Sequence, residues 1–170
     1  MIFNRFTREA RRCVEAAVEE ARALGHDSVG DEDLLLGVLA AGNGIAAEAL
    51  NSFGVSLEGA REEAEGLFSD ALASIGISLD EIRRQAGESF ETRSASPRRL
   101  RFSLRAKKAL EQSLREALRL GDKKITGEHV LLGALHDEHG DAVRLLTNLG
   151  VSMEAVENRL YQLRRQAPTR

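Results

Sequence analysis

The chain has 170 residues, with one cysteine, two prolines, no tryptophan, one tyrosine and a formal net charge of −3. That length suits one domain or two small ones. The lone cysteine excludes an internal disulfide and suits a reducing compartment, and the mild negative charge offers no global attraction to nucleic acid. No window approaches 18 uninterrupted apolar residues, and the start, MIFNRFTREARR, lacks the apolar core of a secretory signal; the expectation is a cytoplasmic protein with no membrane span.

In chain order, the first predicted helix begins after Thr7, a good N-cap. Phe6, Ala10, Cys13, Val14, Ala17, Ala21 and Leu24 recur at helical spacing and mark its buried face. Gly25 suits a left-handed C-cap. A second helix holds LLLGVL, a third covers about 45–53 before Gly54, and Ser56 caps a fourth. The same four elements then return. FTREARRCVEAAVEEARALGHDSVGDEDLLLGVL lies on FSLRAKKALEQSLREALRLGDKKITGEHVLLGAL with a constant offset of 96, and the register continues without a gap. Over 6–67 against 102–163, 20 of 62 positions are identical, among them Glu32/Glu128, Gly37/Gly133 and Gly54/Gly150.

Between the units, LNSFGVSLEGAREEAEGLF (50–68) lies on LASIGISLDEIRRQAGESF (72–90) at offset 22. The reading is a duplicated helix pair over 69–90, with Ser78 and Glu81 as its capping box, followed by a basic linker over 91–101. Repeat one is then 6–68 and repeat two 102–166. The fold class expected is all-α, two pseudo-symmetric four-helix repeats with an extra helical hairpin inserted between them.

The residues with chemical potential are few. Glu128 and His129 follow Thr126 at the start of an apolar helix, TGEHVLLGAL. Three readings stand: acids complementing a helix N-terminus, worth about 0.3–1 kcal/mol each; a metal site, which would need a second histidine one turn away; and an exposed carboxylate that holds a cation or guanidinium. Repeat one has GDED in the same place, so His129 faces Asp33 in the alignment and His26 faces Asp122. Position by position the repeat does not preserve an imidazole, whereas Glu32 and Glu128 survive. Cys13, aligned with Ala109, reads as a small buried hydrophobe. No phosphate-binding loop, nucleophile elbow or H-E-x-x-H occurs, so neither a cofactor nor an enzymatic activity is expected. The run RSASPRRLRFSLRAKK over 93–108 carries seven basic residues and no acid, which keeps a nucleic-acid-binding regulator open as the alternative function; with a single aromatic it lacks a stacking platform.

The doubled pattern FTREARR…LGHDSVGDEDLLLGVL and FSLRAKK…ITGEHVLLGAL resembles the Clp N-terminal (Clp repeat) domain of ClpC/ClpA-type AAA+ unfoldases, as a stand-alone actinobacterial-type form lacking the ATPase modules. The resemblance implies a compact all-α domain that catalyses nothing and docks substrates, adaptors or a Clp ATPase, as an accessory or decoy to a Clp chaperone-protease. It also implies that Glu32 and Glu128 hold the guanidinium of phosphoarginine, with His129, Lys123 and Lys124 near the phosphate. Cyclic-peptide antibiotics would bind a face at Phe3, Arg11, Phe102, Lys107 and Glu111, where Val18 replaces a commonly polar residue.

Overall fold

The computed structural model describes residues 2–82, 84 and 100–167. A 3₁₀ turn, Ile2–Arg5, leads into α1 (Arg8–Leu24), followed by β1 (Ser28–Val29), α2 (Asp31–Ala41), α3 (Ile45–Ser52) and α4 (Leu57–Ala73). Repeat two gives β2 (Arg101–Phe102), α5 (Leu104–Arg119), α6 (Gly127–Ala134), α7 (Asp141–Asn148) and α8 (Met153–Gln166). The caps are those the sequence announces. Thr7, Ser56, Ser103 and Ser152 accept from the backbone N–H three residues on, at 3.0–3.1 Å, satisfying donors that a helix start leaves bare. Gly25 ends α1 in the left-handed conformation with φ 78°.

The core is one body shared by both repeats. α2 and α6 lie at its centre. Leu34, Leu35, Leu36, Leu131 and Leu135 are wholly buried, and α2 buries every side chain from Asp33 to Leu39, as a helix covered on all sides must. α1 packs on α2 and α5 on α6, while α2 meets α6 and α7, α3 meets α8, and α4 meets α7 across the repeat boundary. Each repeat therefore closes the other.

Two short strand pairings make the exchange explicit. β1 pairs in parallel with β2, Val29 opposite Phe102, and Phe6 bridges Ile125 in the same sense. An offset of 96 carries Phe6 onto Phe102 and Val29 onto Ile125, so this is one contact made twice. The Thr7 N–H donates to the Ile125 carbonyl and the Ser103 N–H to the Val29 carbonyl, both at 2.9 Å. The segment after the first helix of each repeat is hydrogen-bonded to the segment before the first helix of the other. Asp31 adds a further tie: from the first turn of α2 it accepts the Ala142 N–H of α7 at 2.9 Å.

α4 runs unbroken through residue 68 to Ala73, turns at 74–76 with Gly76 at φ 80°, and a helix starts again at 79. Within the described residues the first helix of the copied pair is thus the end of α4 itself. Ser78 accepts weakly from the Glu81 N–H, at 3.5 Å. Most of the basic linker, with Arg98 and Arg99, lies outside the described residues, as does the remainder of the copied pair. No single helix among the described residues is long and apolar enough to cross a membrane.

Candidate functional site

The two clusters that matter sit at the starts of α2 and α6. In repeat two the Thr126 N–H donates to His129 Nδ1 at 2.9 Å. That nitrogen is therefore the unprotonated one, and Nε2 carries the hydrogen it gives to Asp122 Oδ2 at 2.8 Å. Burial holds the His129 pKa below its ordinary 6.5, against the pull of Asp122. The neutral ring is what the fold uses, so its contribution to stability is present above pH 6.5 and is lost as pH falls. Arg164, from the last turn of α8, then lays Nη1 3.0 Å from Glu128 Oε1 and Nη2 2.9 Å from Asp122 Oδ2.

This corrects the expectation of an exposed glutamate. Glu128 is only 1% exposed, and it does hold a guanidinium, but one supplied by its own chain. His129 is wholly buried with both ring nitrogens engaged, so it is not free to meet a phosphate. Lys123 and Lys124 are exposed nearby in sequence.

Repeat one builds the same device with its parts exchanged. Asp33, at the position of His129, accepts the Gly30 N–H at 2.9 Å. His26, at the position of Asp122, places Nδ1 2.9 Å from the same Asp33 oxygen. An imidazole–carboxylate pair thus spans loop and helix start in both repeats, with the histidine on the helix in one and on the loop in the other. Position by position no imidazole is preserved, as the sequence has it; the structure adds that the pair is kept, with its members trading places. The next partner changes with it. Position 164 aligns with Phe68, whose ring meets the His26 ring edge-on at 4.7 Å, whereas Arg164 meets Asp122.

Glu32 consequently has a different neighbourhood from Glu128. No arginine or lysine among the described residues pairs with it. One ligand atom each of His26, Glu32 and Asp33 lies within 4.8 Å of the others, and the same holds for Asp31, Glu32 and Asp141. Burial first, then Asp33, Asp31 and Asp141, push the Glu32 carboxyl up to about 9. The folded protein keeps this proton between about pH 4.5 and 9, where the unfolded chain has lost it. Stability from this group is therefore full below pH 4.5 and declines as pH rises toward 9. Glu32→Gln is expected to be the more stable protein at pH 8, by at least about 1 kcal/mol or 2–4 °C in Tm, and the advantage should shrink toward pH 5; thermal melts across that range measure it.

Arg11 on α1 and Lys107 and Glu111 on α5 are exposed, Phe102 is half-buried against the core, and Val18 likewise packs on it. Phe3 lies in the opening 3₁₀ turn, its side chain outside the described set. Cys13 is buried, and burial followed by Glu9 pushes its thiol up to about 12, which suits packing and not nucleophilic chemistry. His136 and His139 are exposed and in neither cluster.

Comparison with known proteins gives a consistent answer. The family described as the Clp repeat (R) N-terminal domain matches residues 5–70, 62–149 and 101–169; the middle match spans the partial third copy. The negative regulator of genetic competence ClpC/MecB of Bacillus subtilis (strain 168) is 36% identical over 163 residues, 96% of this chain and 17% of its own length. A chloroplastic ATP-binding subunit of Clp protease, a ClpA homolog of Brassica napus, is 37% identical over 162 residues, 95% of this chain and 16% of its own. The chain thus spans about a sixth of such relatives. Among solved structures, the N-terminal domain of the caseinolytic protease-associated chaperone ClpD of Arabidopsis thaliana aligns with a TM-score of 0.72 at 24% identity, covering 97% of each chain. The Hsp104 N-terminal domain of Candida albicans aligns at 0.63 and 16% identity, covering 94% of this chain and 91% of that one. Both likenesses concern the fold.

Proposed function

The chain belongs to the Clp repeat N-terminal domain family, and from that premise we propose that it is a non-catalytic docking module of the cytoplasm. It would present proteins, peptides or adaptors to a Clp unfoldase–protease, or withhold them as an accessory or decoy. The observation that carries the finer reading, recognition of arginine-phosphorylated segments, is the Arg164 guanidinium seated between Asp122 and Glu128. Two carboxylates aimed at the two terminal nitrogens of one guanidinium make a seat for that group. An external arginine side chain would have to displace Arg164, so the resident residue sets the affinity. Repeat one suits a phosphorylated ligand poorly, because Asp31 and Asp33 flank Glu32 and repel a phosphate.

Calorimetric titration of phosphoarginine tests this. Arg164→Met is expected to bind at least tenfold more tightly than the unaltered protein, and Arg164→Met/Glu128→Gln to lose the gain. Binding that is absent from both proteins, or that ignores Glu128, would overturn the assignment.

A further inference from the structure

The repeats offer an internal comparison. In repeat two a cation, the Arg164 guanidinium, sits on Asp122 and Glu128. Their counterparts are His26 and Glu32, and the counterpart of the arginine is the uncharged Phe68. Repeat one has lost the internal cation and gained acids: Asp31 stands where repeat two has Gly127, and Asp33 where it has His129. Asp141 joins them from α7. A second observation is independent of that count. Asp33 is wholly buried, its Oδ2 is taken by Gly30 and His26, and its Oδ1 meets no hydrogen-bond partner among the described residues. A fully desolvated carboxylate oxygen without a donor is costly unless something electropositive meets it.

We propose that the start of α2 is a binding site for a hard divalent cation of the magnesium or manganese class, held by Glu32 with Asp31, Asp33 and Asp141. Glu32 is the member common to both groups of facing ligand atoms. The ligands are oxygens because His26 Nδ1 carries the hydrogen donated to Asp33, so the ring serves as the outer partner that orients a ligand. Few carboxylates with partial solvent access suit an ion that keeps several of its waters; the side chains of Glu32 and Asp141 are 14% and 46% exposed. The groups facing the site are His26, Asp31, Asp33, Asp141 and, 3.8 Å from Asp141, Arg144.

The test uses protein stripped with a chelator and titrated with Mn²⁺, reading the free ion by electron paramagnetic resonance and the bound ion by broadening of backbone amide signals. One ion per chain is expected, with broadening centred on residues 30–33 and 141–142 and competition by Mg²⁺. Glu32→Gln should weaken binding at least tenfold. That variant is expected to be more stable than the parent, so a loss of binding would not reflect unfolding; Glu154→Gln, on the exposed face of α8, should bind as the parent does. No binding at 1 mM Mn²⁺, broadening centred elsewhere, or equal affinity in Glu32→Gln would overturn the proposal. None of these outcomes bears on phosphoarginine binding at Glu128.

Discussion

Alanine at Gly133 is expected to cost about 3 kcal/mol, the upper part of the range for overpacking a core. A Cβ there would lie 2.5 Å from Ser113 Oγ, 2.9 Å from the Ser113 nitrogen and closer still to the Ala109 carbonyl oxygen. Two of these three neighbours are backbone of α5, so no rotamer change clears the space; α6 has to move away from α5. Gly37 repeats the contact in the other half, where a Cβ would lie 2.7 Å from the Ala17 nitrogen and closer to the Cys13 carbonyl. Gly37→Ala should therefore cost a similar amount. Gly66, exposed on α4 with nothing within 4 Å of a Cβ, is the control: Gly66→Ala should gain about 0.5–1 kcal/mol, because glycine inside a helix carries an entropic penalty. Urea unfolding of the three variants reads the difference, and a loss below 1 kcal/mol at both Gly37 and Gly133 would mean that the helices are not in backbone contact.

The two glycines were visible beforehand as identical positions of the repeat, and so were the caps and the apolar stripe of α1. These features are local. Thr7, Ser56, Ser103 and Ser152 bond three residues along their own chain, and the spacing of Ala10, Cys13, Ala17 and Ala21 follows from helical geometry alone. The links between repeats were not visible. β1 and β2 hold two residues each, and such segments have no alternation to detect. Nor does any residue of the Phe6–Ile125 bridge announce its partner more than 100 positions away.

The clusters were misread for another reason. Alignment scores one position at a time, and His26/Asp122 and Asp33/His129 each count as a lost match. The physical unit is the pair: a carboxylate and an imidazole satisfy each other whichever element carries which, and the backbone N–H that caps the helix accepts either partner, Asp33 Oδ2 or His129 Nδ1. A swap that looks like two losses is thus neutral. Glu128 was expected at the surface because acids in a first helical turn generally are. It is buried because Arg164 covers it, and Arg164 lies one residue beyond the aligned span, where Phe68 gives no hint of an ion pair. Only the packing of α8 shows that Arg164 is directed inward, onto Asp122 and Glu128.

Arg164→Met is accordingly expected to cost about 3 kcal/mol. The arginine side chain is 23% exposed, but the carboxylate it meets is 1% exposed, and removing one partner of such a pair leaves a charge in a place that water scarcely reaches. Methionine keeps most of the apolar stem, so lost packing contributes little. The sign of the coupling is the sharper test. Glu128→Gln alone removes an acceptor charge facing the guanidinium and should also destabilise, but in Arg164→Met/Glu128→Gln no buried charge remains, and the double variant should recover at least about 1 kcal/mol relative to the sum of the two singles. Strict additivity would mean that the two side chains do not act as a pair. Salt offers a second discrimination, because raising NaCl to 0.5 M screens exposed ion pairs and leaves a buried one nearly untouched. The variant that weakens the fold is also the one expected to bind phosphoarginine more tightly, and ligand binding to the native state should restore part of the lost stability by mass action. On the proposed reading, stability and recognition draw on the same carboxylate, and Arg164 occupies the seat that an incoming arginine would need.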